Sequence, residues 1–193
     1  MPSLLPDAVL VLIDLQQGFG DPFWGRSGNP GCETNCERLS RAWLAAGKPV
    51  VVVRHDSPKP GSPLAPGTPG NALLEWVPDD TADLLVIKQV NSAFYGTPDL
   101  DAWLRAAHAR QLVICGIQTN MCVETTARMA GNLSYDVLVP LDATRTFDLP
   151  RWAPDGSRDA VLSAEDLMLA TATSLHHGGF AHVTTTDLVL SAL

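Results

Sequence analysis

Hydrophobic positions along the chain gather into short continuous runs separated by segments of helical spacing. Ala8–Ile13 (AVLVLI), Pro49–Val53, Asp83–Ile87 (DLLVI), Leu112–Cys115 and Tyr135–Leu141 (YDVLVPL) are apolar at nearly every position. An alternating run buries one face of a strand, whereas a continuous run buries both, as in the middle of a parallel sheet. Ala181–Thr184 predicts a short sixth strand. Between the runs, Glu33–Ala46 carries Leu39, Trp43 and Leu44 on one side and stops at Gly47. Asp99–Ala109 follows Pro98, a residue suited to the first turn of a helix. A further helix begins at or just before Cys122. Another runs from Ser163, with Asp166 three residues on, to about His176, and a short helix closes the chain. Strands alternating with helices predict a three-layer α-β-α, doubly wound (Rossmann-like) α/β domain around a mostly parallel six-stranded sheet. At 193 residues the simplest reading is one domain spanning 1–193.

Three stretches break this alternation. Gln16–Gly31 is rich in Gly and Pro and carries Phe19, Phe23 and Trp24, aromatics placed either to roof a pocket or to pack on a sheet edge. Ser57–Gly70 (SPKPGSPLAPGTPG) holds five prolines and three glycines. Because proline fixes φ, this stretch reads as an ordered wall rather than a linker. Phe147–Gly156, with Trp152, is a third loop over the sheet edge.

Composition narrows the class. A formal net charge of −8 argues against a nucleic-acid partner. The apolar N-terminal stretch is interrupted by Pro6 and Asp7 and lacks a basic leader, so it does not read as a signal peptide. No run approaches transmembrane length. Four cysteines in a chain of this size do not make a disulfide scaffold. The expectation is a cytoplasmic enzyme or binding protein, with neither a membrane nor a nucleic acid as partner.

Candidate chemistry lies at strand ends. Asp14 follows the first strand, Lys88 the third, and Cys122 the turn after the fourth. In a doubly wound sheet the C-terminal strand ends share one edge, so these residues can meet in one crevice. An acid, a cation able to act as a base and a thiol suffice for nucleophilic hydrolysis. A helix start also favours thiolate over thiol. The structural alternatives are a small buried cysteine capping a turn and a strand-end carboxylate capping another. Cys32 and Cys36 sit one helical turn apart with no further His or Cys close by, which argues against a metal site. Their redox role is a weak option. His55 and Asp56, adjacent on a strand, face opposite ways, so a structural hydrogen-bonding role is expected of them rather than a shared metal.

The set DLQ at Asp14–Gln16, K-x-x-x-SAF at Lys88–Phe94 and G-x-x-TN-x-CV-x-x-TAR at Gly116–Arg128 resembles the isochorismatase-like cysteine hydrolases. The RHDSP run, the SPLAPGTPG run and the late VTT-x-DL are also similar to one branch of that family, and the likeness covers about residues 8 to 190. The resemblance implies a Cys-Asp-Lys triad. Cys122 is the nucleophile, Asp14 takes its proton, and Lys88 holds both by charge. It further implies a cis peptide at Ile117–Gln118 and an oxyanion site made by the backbone N–H groups of Gln118 and Cys122.

Departures from the family patterns bear on the substrate. Nicotinamidases of this family carry Asp-x-His plus a further His for a metal after the second strand. Here the order is His55-Asp56, and the next histidine is His108. The expectation is therefore no metal and no cofactor, and a substrate other than nicotinamide. Enzymes that cleave the vinyl ether of isochorismate lack the cysteine, so Cys122 favours hydrolysis of an amide or ureido C–N bond in a small molecule. Gln16, Phe19, Trp24, Phe94 and Tyr95 are the expected pocket walls. A vinyl-ether hydrolase and a non-catalytic oligomeric binding protein on the same fold are the alternatives. The resemblance also implies a homo-oligomer, a dimer or a tetramer.

Overall fold

A computed structural model describes residues 3–78, 80–158 and 160–193. The strands are β1 (Val9–Ile13), β2 (Val50–His55), β3 (Leu84–Lys88), β4 (Gln111–Ile117), β5 (Asp136–Pro140), β6 (Thr144–Arg145), β7 (Leu149–Pro150), β8 (Val161–Leu162) and β9 (His182–Thr184). The helices are α1 (Cys32–Ala45), α2 (Leu100–Ala106), α3 (Glu124–Asn132), α4 (Ala164–His177) and α5 (Thr186–Leu190). The central sheet runs β3-β2-β1-β4-β5-β9, with β6 joined to β4 beyond the end of β5. Every pairing in it is parallel. The sheet thus has seven strands rather than the six predicted. β6 is two residues long and has no periodic pattern to read. The small antiparallel ribbon of β7 and β8 was equally invisible, for the same reason.

Burial follows the continuous apolar runs. All five residues of β1 and all seven of β4 are buried. Successive side chains on β1 enter different cores. Val9, Val11 and Ile13 join Leu100, Val123, Ala127 and Leu175, the faces of α2, α3 and α4. Leu10 and Leu12 join Cys36, Leu39, Trp43 and Val189, the faces of α1 and α5. Two cores on the two faces of one sheet make the three layers. Helix starts follow the sequence signals: Asp99 accepts from Ala102 N at 3.0 Å, and Ser163 accepts from Asp166 N at 3.1 Å. Among the described residues no helix is long and apolar enough to cross a membrane.

Strand order sets the location of the site. The chain winds outward from β1 to β2 and β3, then returns to place β4 on the other side of β1. The loops leaving β1 and β4 therefore diverge to opposite faces, and a crevice opens at their C-terminal ends. Gly116 makes the two strands close there. It sits at φ +123°, and a Cβ on it would lie 2.1 Å from the Ile13 carbonyl oxygen. Asp14, the residue that follows β1, holds a left-handed φ of 51° with its N–H on the Val53 carbonyl at 2.9 Å. A non-glycine residue in that region is uncommon, and here it turns the carboxylate toward the crevice.

Candidate active site

Four strand ends deliver the polar centre. Lys88, the last residue of β3, is buried and places its Nζ 2.7 Å from Asp14 Oδ2 at the end of β1. The same Nζ lies 3.4 Å from Cys122 Sγ and 3.2 Å from Nδ1 of His55, the last residue of β2. After β4 the chain passes through a cis peptide at Ile117–Gln118 and one wide π-helical turn, Thr119–Val123, before α3 begins. Cys122 stands in that turn, 8% exposed. The SAF and TAR motifs meet behind it, where Ala93 N donates to Thr126 Oγ1 at 3.1 Å. The residues predicted from three distant motifs are thus brought together.

The charge balance of this centre is set by burial and by contact. Burial alone would lower the Lys88 pKa, but Asp14 and then Cys122 outweigh it, and the net shift is upward. Lys88 is therefore an ammonium. Burial pushes the Cys122 thiol well above its ordinary value of 9.0, and Asp14 pushes it further. Lys88 offsets only part of this. The resting thiolate expected from a helix start is not what the geometry favours: loss of hydration outweighs the backbone dipole. Burial and the neighbouring carboxylate both favour the protonated sulfur. Asp14 Oδ1 is buried and accepts no hydrogen bond from the described residues, which leaves it open to a proton. An ammonium touching both sulfur and carboxylate allows one proton to pass between them at little electrostatic cost.

One donor atom from each of Asp14, His55 and Cys122 lies within 4.8 Å of the other two, a spacing that resembles a metal-ligand set. The Lys88 ammonium contacts all three side chains, so a fixed positive charge already fills the centre of the set. A divalent cation does not fit beside it without displacing that charge.

The centre forms part of the lining of a cleft of about 600 Å³. Phe19, Phe23, Trp24 and Phe147 line one part of it. The Trp24 ring lies 5.0 Å from Phe19 and stacks at 5.5 Å on Phe147. The indole N–H is satisfied by the Gly18 carbonyl at 2.8 Å, which fixes the ring. Pro58, Lys59 and Pro60 of the proline-rich loop line another part. That loop is an ordered wall, as predicted: Ser57 N donates to Leu64 O, and Asn71 Nδ2 donates to both Leu64 O and Asp56 Oδ1.

Of the five predicted pocket residues, Phe19 and Trp24 line the cleft and three do not. Gln16 is buried beneath it. Its Oε1 accepts from His55 N at 2.9 Å, while its Nε2 donates to the carbonyls of His55 and Asn71. Phe94, half-buried, stacks on Tyr135 against the core, and Tyr95 is 70% exposed outside the cleft. Both follow Lys88 on a 3-10 turn that carries them away from the strand end. His55, expected only in a structural hydrogen-bonding role, stands in the polar centre and lines the cleft. The alternation argument does separate it from Asp56, which pairs with Arg54 at 2.8 Å, but the face His55 takes is the cleft side. Phe147, Leu149 and Pro150 also line the cleft; they belong to the loop expected over the sheet edge, but nothing in its pattern shows which of its residues face inward.

Comparison with known proteins agrees with this layout. The isochorismatase domain matches residues 8–187. The isochorismatase family protein YrdC of Bacillus subtilis is 35% identical over 182 residues, 94% of each chain. A streptothricin hydrolase of Streptomyces noursei is 35% identical over 164 residues, 84% of this chain and 63% of that one. A crystal structure of an isochorismatase-family protein from Chromobacterium violaceum superposes with a TM-score of 0.88 at 37% identity, covering 100% of this chain and 98% of the other. With the sheet order, the strand-end centre and these matches together, the chain belongs to the isochorismatase family of hydrolases.

Proposed function

We propose that this hydrolase cleaves an amide or ureido C–N bond of a small molecule through a thioester on Cys122. The observation that carries the reading is the shared contact of Lys88 Nζ with Asp14 Oδ2 at 2.7 Å and Cys122 Sγ at 3.4 Å on the floor of a cleft. A protonated, buried thiol is a poor nucleophile unless a base takes its proton as it attacks. Asp14 has the oxygen to spare. The relative named a streptothricin hydrolase makes a hydrolytic reaction on an organic substrate reasonable for this chain too.

The steps follow from the positions. The substrate carbonyl carbon approaches Sγ while the thiol proton passes to Asp14, and the new C–S bond puts a negative charge on the carbonyl oxygen. The backbone N–H groups of Gln118 and Cys122 are the donors assigned to that oxygen. Removing one such donor typically costs about 2.7–4 kcal/mol in the transition state. The intermediate collapses with loss of the C–N bond, and Asp14 returns its proton to the departing nitrogen. Water then gives a proton to Asp14 and adds to the thioester, which releases the acid and restores the thiol. Lys88 keeps its proton throughout and balances whichever neighbour is negative.

The test is ammonia release across a panel of small primary amides, ureido acids and hydroxamates, with intact-mass detection of an acyl adduct on Cys122. Turnover that survives Cys122→Ala ends the reading. Release of pyruvate from isochorismate, with no amide turned over, would assign the chain to the vinyl-ether reaction instead.

A further inference from the structure

We infer that His55 is a catalytic residue of this site, a neutral imidazole whose Nε2–H donates to the departing atom of the substrate. The inference rests on the acyl-transfer reading above and adds a group to it. Three observations carry it. First, Nδ1 of His55 lies 3.2 Å from the Lys88 ammonium, which has only hydrogens to offer, so Nδ1 accepts and the ring hydrogen must sit on Nε2. Second, the backbone of His55 is clamped. Its N–H is on Gln16 Oε1 at 2.9 Å, and its carbonyl accepts from Gln16 Nε2 at 3.1 Å and Asn71 Nδ2 at 3.2 Å. Both clamping side chains are buried, a degree of support that a surface histidine does not need. Third, His55 lines the cleft and has a ring nitrogen within 4.8 Å of both the sulfur and an Asp14 carboxylate oxygen, so the imidazole borders the space the reacting atoms would take.

The third distance identifies the partner. After attack, the atom that must collect the proton from Asp14 lies between Asp14 and the sulfur-bound carbon, hence within reach of the imidazole. That atom gains a lone pair as its conjugation with the carbonyl is lost, and a hydrogen bond from the imidazole N–H stabilises the gain. His55 donates a hydrogen bond and transfers no proton. Doubly protonated imidazole is disfavoured by burial and by Lys88, against a smaller opposing pull from Asp14 and Asp56, with Lys59 also opposing it.

Isosteric replacements separate this role from that of a prop for Lys88. Asn places an amide where Nδ1 was, so His55→Asn keeps an acceptor for Lys88 and loses the donor. Gln reaches the Nε2 position, so His55→Gln does the reverse. The readout is acylation of Cys122 by p-nitrophenyl acetate and by phenyl acetate, followed as phenol release and by intact mass, which requires no knowledge of the natural substrate. The expected result is that His55→Asn slows phenyl acetate about tenfold, the rate equivalent of one transition-state hydrogen bond, and p-nitrophenyl acetate far less, since nitrophenolate leaves unaided. His55→Gln should restore most of the loss. Wild-type rates in His55→Asn, or equal losses with both esters, overturn the assignment. An Nδ1–H tautomer of His55 in the ¹⁵N spectrum of the unmodified protein overturns it independently of any variant. Esters that follow the expected pattern while no amide is turned over would sink the amide reading and leave His55 standing.

Discussion

Lys88 and Asp14 form an ion pair at 2.7 Å in which neither side chain is accessible to solvent. Such a pair gives up hydration on both charges and recovers it only in mutual attraction and hydrogen bonds. Removing one member leaves the other charged, buried and unmatched. Lys88→Met is therefore expected to destabilise the fold by about 3–5 kcal/mol, and Asp14→Asn combined with Lys88→Met to cost less than the two single changes summed. Urea denaturation of the three variants measures this. Additive losses would mean that the pair does not act as a unit.

The parts of this architecture that could be read from sequence are those with a physical period. Strands buried on both faces, such as β1 and β4, announce themselves as unbroken aliphatic runs, and the residues at the strand ends were legible as a set because parallel strands share an edge. β6 and the β7–β8 ribbon had no such signal, so the loop of Phe147 and Leu149 could be placed over the sheet edge but its two cleft-lining residues could not be picked out. Phe94 and Tyr95 are aromatics of the kind that suits a pocket wall, but the 3-10 turn after β3 carries them away from the strand end. A dipole that favours the Cys122 thiolate can be inferred from helix position, whereas the depth of burial that opposes it cannot.

Cys122→Ala should abolish amide turnover and acyl-adduct formation while leaving the melting temperature close to that of the parent. The side chain is small, and its hydrogen-bond partners, Lys88 and the distant Asn91 oxygen at 4.0 Å, keep other contacts or stay near the open cleft. Kinetics and thermal unfolding on one preparation test both halves. A variant that retains turnover rules out the sulfur as nucleophile.

Gly116→Ala should damage stability and activity together. The added methyl would meet Ile13 backbone atoms at 2.1 and 2.8 Å, and the residue would have to keep φ +123°. Neither neighbour is a flexible side-chain end, so relief requires β1 and β4 to separate beside Asp14. The expected cost is at least about 3 kcal/mol, from overpacking plus backbone strain. Chemical denaturation measures it. A fully stable Gly116→Ala would show that the two strand ends are not held at the separation described.

Trp24→Ala should act on substrate binding rather than on the chemical step. The ring lines the cleft, packs on Phe19 and Phe147, and has its N–H held by the Gly18 carbonyl, so it belongs to the aromatic wall rather than to the polar centre. Contacts of this kind are equally strong in the ground and transition states, so their loss is expected to raise KM by about tenfold and to leave kcat within about twofold. Steady-state kinetics on whichever amide the panel selects decides it. A fall in kcat at unchanged KM would place the indole nearer the reacting atoms than the geometry allows.

Asp14→Asn should move two sulfur properties in opposite directions. The carboxylate raises the thiol pKa, so removing its charge lowers that pKa and enlarges the thiolate fraction at a given pH. Alkylation of Cys122 by iodoacetamide needs only thiolate. In the parent it is expected to climb about tenfold per pH unit through pH 8 to 9 without levelling, as for any thiol titrating above that range. In Asp14→Asn alkylation at pH 8 is expected to be faster than in the parent, while hydrolysis of amides is lost, because no base remains to take the thiol proton or return it to the leaving nitrogen. Mass-resolved alkylation rates beside ammonia release provide the comparison. If alkylation and hydrolysis fall together, Asp14 supports the sulfur's position rather than its proton, and the acid–base role passes to another group.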